Sequence, residues 1–270
     1  PGARYLKCRA PQEEVPLLAR RIEEAGLNAW PALQQMLYYG WVLRFSKGYT
    51  KRANSANALY PSAIDTREKV AFCEAQYQKR ALTSIFRITP FAPADLDGIL
   101  EARGYELIDT TLVLARDVAA ISKSRASQAA TSDRVCQESL DNWLPIFCRL
   151  KSSSLEAHQT HREILEAILG RCFYASLSVS GEAVSCALGV LEGKFFGLFD
   201  VVTAPEHRSK GRATTLLSSM LDWAQENGAR HAYLGVVELN SPARRLYDKL
   251  GFQEVYRYWY RVPSLGKIKS

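Results

Sequence analysis

The sequence predicts a mixed α+β fold, a twisted and mostly antiparallel sheet flanked by helices, laid down twice along the chain. Three features predict it. Strand-like runs in the second half are joined by short glycine turns. Helical apolar spacing then alternates with further strands. A fainter copy of the same order fills the first half.

In the first half, Trp41 to Phe45, the turn Lys47-Gly48 and Tyr49 to Ala56 read as a hairpin. Thr66 to Arg80 reads as a helix and Ile85 to Thr89 as a strand. Asp95 to Arg103 is a helix stopped by Gly104, and Glu106 to Arg116 a further strand. The stretch DVAAISKSRASQAATSD lacks aromatics and is rich in Ala and Ser, so a linker is expected at 118–132, between domains at 1–117 and 133–270.

The second half opens with a helix from Arg162 to Leu169, with Ile164, Leu165 and Ile168 at helical spacing. Phe173 to Val179, Ala183 to Leu191 and Phe195 to Thr203 follow, separated by Ser180-Gly181 and Glu192-Gly193, and predict an antiparallel meander. A helix from about Ala213 to Asn227 carries Leu217, Met220, Leu221 and Ala224 on one face. Ala232 to Val237 is a short strand. Ser241 caps a second helix with Pro242 at its first position and Gly251 past its end, and Phe252 to Val262 is the last strand. The ends of the halves correspond: LEARGYELIDTTLVL against YDKLGFQEVYRYWYR, each a helix, a glycine, an aromatic and a strand.

Composition excludes several classes. At 270 residues, 47% hydrophobic and 23% charged, the chain has material for a core and is not disordered. The most apolar stretch, Cys186 to Val202, is interrupted by Glu192, Lys194 and Asp200, so no membrane span or membrane partner is expected. No apolar run follows the basic residues at the start, and the six cysteines form no CxxC pair, so reduced thiols and a cytoplasmic protein are expected. The net charge of +7 is compatible with an anionic ligand, and its position decides more than its size.

The chemistry concentrates in DVVTAPEHRSKGRATT, from Asp200. A strand enters a turn with Arg208, Lys210, Gly211 and Arg212, and a helix opens at once. The first N–H groups of that helix lack intrahelical partners, its dipole is positive there, and Gly211 and Ala213 allow close approach. The turn is a pocket for a pyrophosphate-like group. Neither GxxxxGK[ST] nor a GxGxxG after a strand is present.

Arg208-Ser-Lys-Gly-Arg-Ala213 resembles the (Q/R)xxGx(G/A) signature of the GNAT superfamily of acyl-CoA-dependent N-acetyltransferases. Asn240-Ser-Pro-Ala-Arg-Arg-Leu-Tyr-Asp-Lys-Leu-Gly-Phe252 resembles that superfamily's NxxAxxLYxxxGF motif, in the right order and separation. The resemblance covers about Val135 to Val262, with the first half similar to a degenerate repeat in tandem-domain members. It implies the GNAT fold in two tandem copies and acetyl-CoA as co-substrate, lying between parallel strands that end at Thr203 and Val237 and splay apart. Backbone groups of Val201, Val202 and Thr203 would pair with the acetyl carbonyl and pantetheine. A backbone N–H there would stabilise the oxyanion by about 3–4 kcal/mol. The N–H groups of Ser209, Lys210, Gly211, Arg212, Ala213 and Thr214 would hold the pyrophosphate, with Arg208 adding charge. Asn240 and Ala243 belong to the second motif, Asn240 contacting the pantetheine arm. Tyr247 matches the family's general acid for the departing thiolate.

The acceptor amine must lose a proton. Asp200 is the candidate base because it lies in an apolar strand, where burial raises a carboxylate pKa. Glu238 and His231 are weaker candidates, and many family members use water chains instead. His158 and His161 stand three apart, but no further ligand lies at metal spacing, so no metal is expected and both read as solvated. The first half has Leu100 where the second has Tyr247 and lacks a basic glycine turn. It is therefore expected to have lost acetyl-CoA binding and to help wall the acceptor pocket, through Trp30, Trp41, Arg44, Tyr49, Arg52, Asn54 and Asn57.

The expected activity is acetyl transfer to a primary amine of a small molecule such as an amino acid, a polyamine or an amine-bearing antibiotic, by direct attack in a ternary complex. Its rivals are a protein or peptide Nα-acetyltransferase and a non-catalytic acyl-CoA sensor. Nucleic acid is not an expected partner, since the best basic cluster serves the cofactor. The protein is expected to be a monomer or homodimer.

Overall fold

The computed structural model describes residues 17–118 and 133–264. Within them lie helices α1 (Leu17–Ala29), α2 (Thr66–Gln78), α3 (Leu96–Ala102), α4 (Leu140–Leu150), α5 (Gln159–Glu166), α6 (Arg212–Glu226) and α7 (Ser241–Lys249). The strands are β1 (Gln34–Tyr38), β2 (Trp41–Phe45), β3 (Ala56–Ala58), β4 (Phe86–Ile88), β5 (Tyr105–Asp117), β6 (Arg134–Glu138), β7 (Arg171–Val179), β8 (Glu182–Glu192), β9 (Phe195–Thr203), β10 (His231–Val237) and β11 (Gln253–Pro263). The linker expected at 118–132 lies, apart from Val118, outside the described residues, as do Cys8 and the C-terminal lysines.

The described strands form one sheet in the order β1-β2-β3-β4-β11-β5-β10-β9-β8-β7-β6. Pairing is antiparallel except at β3–β4 and β9–β10. The expected mixed fold is therefore found, and the halves follow one plan. Each has an antiparallel meander (β1-β2-β3 and β7-β8-β9), a helix, a strand parallel to the third, a helix and a long strand. The closing strands are exchanged. β11 pairs with β4 of the first half, β5 pairs with β10 of the second, and β5 and β11 pair with each other.

This exchange follows from side-chain alternation. Leu112 and Leu114 of β5 join the cluster under α6 and α7 with Leu216, Leu217, Met220 and Leu234. Val113 and Ala115, pointing the other way, join the cluster under α1 and α4 with Ile22, Trp143 and Phe199. Both faces of β5 are thus apolar, as a central strand requires. A third cluster, around Trp41, Leu43, Phe86 and Leu100, fills the first half.

Three expectations are corrected. The hairpin partner of β2 is β1, not Tyr49 to Ala56, with Tyr38 paired to Trp41 across Tyr39 (φ 42) and Gly40 (φ 80). A two-residue turn with both φ positive matches strand twist, and QQMLY, exposed at the sheet edge, has no alternation to announce it. The span 46–55 is instead a loop with a 3₁₀ turn at Lys51–Ala53, tied by Asn54, whose Oδ1 accepts from Ser46 N (2.7 Å) and Gly48 N (3.0 Å). The cap of α7 is Asn240 rather than Ser241, its side chain accepting from Ala243 N at 3.2 Å. The helix read from Arg162 begins earlier, at Gln159, and ends at Glu166.

Because the halves share their closing strands, they should unfold as one unit. Leu100→Ala, in the first-half core, is expected to cost about 2–5 kcal/mol. It should shift a single denaturant transition equally when followed through Trp41 or through Trp223 of the second half. Separate midpoints would mean the exchanged strands do not couple the halves.

Candidate active site

The site begins where two strands part. β9 and β10 pair only from Phe195↔His231 to Leu198↔Leu234. Both continue, β9 beside β8 to Thr203↔Ser185 and β10 beside β5 to Val237↔Thr111. Past Leu198 and Leu234 their facing edges are not paired with each other and are free to pair with an extended ligand. The parting starts at a bulge. Opposite β8 the register jumps from Phe199↔Leu188 to Val202↔Cys186, and Asp200 takes φ 50, the left-handed region that non-glycine residues rarely adopt. Ser185 fixes the strand end by donating to the Val202 carbonyl at 2.8 Å. Val201, Val202 and Thr203, half-buried, form the β9 edge of the notch.

The bulge sends the Asp200 carboxylate toward α5. Its Oδ2 lies 2.9 Å from Nε2 of His161, whose side chain is 1% exposed. The imidazole is walled by Trp30 (5.3 Å between ring centroids), Phe147 (5.1 Å) and Tyr49, which stacks on it at 5.6 Å. Nδ1 of His161 is buried with no partner among the described residues. His158 is half-buried; Tyr49 Oη lies 2.7 Å from its Nδ1 and Ser153 Oγ 2.8 Å from its Nε2. Burial, then the neighbouring His161, hold the His158 pKa below the ordinary 6.5. Burial, then Asp200, push the Tyr49 phenol well up.

Both histidines were expected to be solvated, and the structure corrects this. The missed signal was spacing: His161, Ile164, Leu165 and Ile168 form one helical stripe, so His161 faces the core with them. Among the described residues, no group of three or more His, Cys, Asp or Glu is arranged to hold a metal.

On the opposite face, α6 starts at Gly211, whose φ of 78 turns the chain into the helix. No side chain caps it. The N–H groups of Arg212, Ala213 and Thr214 precede the first bond, Thr215 N to the Gly211 carbonyl at 3.0 Å. A Cβ on Gly211 would meet nothing within 4 Å, so the cradle is open. Its free amides and positive dipole fit a diphosphate. The arginine side chains are partly committed elsewhere: Arg208 Nε donates to the Thr203 carbonyl at 3.1 Å, and Arg212 pairs with Asp133. Lys210 and Ser209 are exposed at the turn. Tyr247 lies in the cluster under α6 and α7 with Leu250 and Phe252, which also holds Val236 and touches Val201 and Ala243. Burial pushes its phenol up to about 12.

The first half lacks such a cradle for a visible reason. The corresponding helix, α2, is capped by Asp65, whose carboxylate accepts from Arg67 N (2.8 Å) and Glu68 N (3.4 Å) and so occupies the anion position itself. Of the seven residues expected to wall the pocket, Trp30, Tyr49 and Arg52 reach the site. Trp41 is in the first-half core, and Arg44, fully buried, donates to the carbonyls of Leu27, Trp30 and Arg52. Asn54 ties its loop, and Asn57 donates to the Ser55 carbonyl at 2.7 Å. Between α1 and the notch a cavity of about 40 Å³ is lined by Glu23, Arg52, Arg87, Phe199, Gly235 and Tyr258, among others. Glu23 there accepts from both Arg87 and Tyr256.

The chain matches, over residues 19–261, a family model described as "Probable histone acetyltransferase Rv0428c C-terminal". It is 31% identical over 250 residues to the uncharacterized N-acetyltransferase YobR of Bacillus subtilis (strain 168), covering 90% of this chain and 98% of that protein. In fold it is similar to a GCN5-related N-acetyltransferase from Kribbella flavida (TM-score 0.71, 16% identity, 93% of this chain and 97% of that one). It is also similar to a tandem GNAT protein from the clavulanic acid biosynthesis pathway (TM-score 0.61, 14% identity, 80% and 76%).

The lowered pKa of His158 predicts a pH dependence. The folded state binds its proton less readily than the unfolded chain, so the stability it contributes is present above pH 6.5 and lost as pH falls below it. The denaturation midpoint should drop less between pH 7 and pH 5 in His158→Gln than in the parent protein; equal drops would exclude this role.

Proposed function

The chain belongs to the GNAT superfamily of N-acetyltransferases, in the family whose model spans its residues 19–261, and we propose that it acetylates the primary amine of a small molecule, with acetyl-CoA as donor. The observation that carries the small-acceptor reading is the roof over the acceptor face. α1, from the first half, packs across β8 and β9, and the cavity beneath it beside the notch measures about 40 Å³. A folded protein surface or a long peptide does not suit so covered an approach.

When bound, acetyl-CoA supplies an activated acyl group and a thiol leaving group. The amides at the start of α6 bind its diphosphate, and the free edges of β9 at Val201–Thr203 and of β10 hold and orient its arm. Asn240 caps α7 and fixes the end of that helix nearest the notch. Asp200, at the bulge, takes the amine proton, and the ring of His161, bonded through Nε2, orients the carboxylate and shares that proton. Tyr247 remains protonated across the neutral range, because its phenol is held near 12, and so is able to donate a proton to the departing sulfur.

Turnover of acetyl-CoA, followed as free thiol, against a panel of small amines and peptides tests this reading. Small amines should be turned over and peptides not. Preferred turnover of peptides would favour a peptide Nα-acetyltransferase, and tight CoA binding without turnover a sensor. Gly211→Glu should abolish acetyl-CoA binding in calorimetry, and the parent protein should bind one equivalent, since Asp65 fills the other helix start. Asp200→Asn should lower kcat by about 100-fold, the scale of one acid–base group. Tyr247→Phe should lower kcat with little change in CoA affinity; an unchanged kcat would remove Tyr247 from the acid role.

A further inference from the structure

The cavity between α1 and the notch holds an unbalanced charge. Two guanidinium groups line it, Arg52 and Arg87, and one carboxylate, Glu23. Glu23 is 3% exposed and both its oxygens accept from Arg87, with Tyr256 also donating to Oε2. Arg52 therefore has no acidic counterpart. Among the described residues no carboxylate lies within ion-pair distance of it. Its guanidinium is held instead by uncharged groups, over the rings of Trp30 (5.6 Å) and Phe199 (5.4 Å) and against the Tyr258 hydroxyl. A half-buried cation without an anion is costly unless a ligand supplies one. Burial opposes ionisation of Tyr258, but the positive charges of Arg52 and Arg87, with hydrogen bonds to Thr111 and Tyr260, together hold the phenol below its ordinary range.

The position of Arg52 matters as much as its charge. Phe199, under its guanidinium, immediately precedes Asp200 at the bulge, and Gly235 immediately follows the last β9–β10 pair. A Cβ on Gly235 would stand 3.6 Å from Nη2 of Arg52. Arg52 thus sits at the head of the notch, on the face roofed by α1. The 40 Å³ beside it has room for only a few water-sized groups. A planar carboxylate fits that volume, and its two oxygens match the fork of a guanidinium.

We infer that Arg52 is the anchor for a carboxylate on the acceptor, so that the substrate class is a compact primary amine bearing a carboxylate, with the amine at Asp200 and the carboxylate at Arg52. This rests on the small-amine reading above and narrows it. Polyamines, which carry only positive charge, are disfavoured by the same unbalanced charge.

The test compares kcat/KM for amino acids with that for their carboxamides and methyl esters, which keep the amine and lose the charge. The carboxylates should be preferred at least 10-fold. In Arg52→Gln the ratio should fall toward one through a rise in KM for the carboxylates, and Arg52→Lys should restore part of it. Acetyl-CoA binding in each variant reports that the fold is intact. Equal turnover of carboxylates, amides and esters by the parent protein would overturn the inference while leaving the small-amine reading in place. Turnover of none of them would remove both.

Discussion

The parting of β9 from β10 after Leu198 and Leu234 is the constraint on which the rest of the site depends. A parallel pair that stops midway exposes two backbone edges in the centre of a sheet, where they are otherwise costly to leave unpaired. Two devices make it tolerable. The bulge at Asp200 bends β9 away while keeping it on β8, and the full-length pairing with β5 holds β10 from its other side. The strand that holds β10 belongs to the first half. The second half is therefore completed by its neighbour, which also supplies α1, Trp30, Tyr49 and Arg52 to the same notch.

The two halves share a plan and differ at the points where chemistry needs them to. One helix start carries a glycine in the left-handed region and no cap; the other carries an aspartate that satisfies the same amides. The first leaves its amides open, and the second already holds an anion of its own. The buried Glu23–Arg87 pair, with Tyr256, ties α1 to β4 and β11 beneath the acceptor face. A pair of this kind adds little net stability but is costly to break, so it fixes position more than it adds strength.

Much of this was legible in the sequence. The meander from Phe173 to Thr203, the glycine turn at Gly211 and the helices after it were readable because their periodicity and turn residues agree with the final structure. The basic turn and the NxxAxxLYxxxGF stretch correspond in the structure to the open start of α6 and to the helix capped by Asn240. The side of the notch under α1 was legible only in part: Trp30, Tyr49, Arg52 and Asp200 were named, but their pairings, such as Tyr49 with His158 and Asp200 with His161, join residues far apart in sequence. β1 escaped notice because only Met36 and Tyr38 of this short edge strand pack on the core, and the apolar Leu37 between them, which is exposed, breaks the alternation in the sequence. Arg44 and Asn57, polar residues expected in a pocket wall, are buried instead as donors to backbone carbonyls, a use that composition does not distinguish from ligand binding. The exchange of β5 and β11 leaves no local trace, since both are long strands flanked by partners on either side and nothing in their own residues names which strand those partners will be.

That exchange also sets an order on synthesis. When the ribosome has finished the first half, β4 has an open edge, and its partner β11 (Gln253–Pro263) is separated from it by the whole second half. Until β11 is made, the nascent chain thus carries a strand with one open edge, the kind of edge that invites pairing with a stranger. Completion of the sheet waits for β11, so a product that lacks this strand leaves β4 and β5 each without a neighbour.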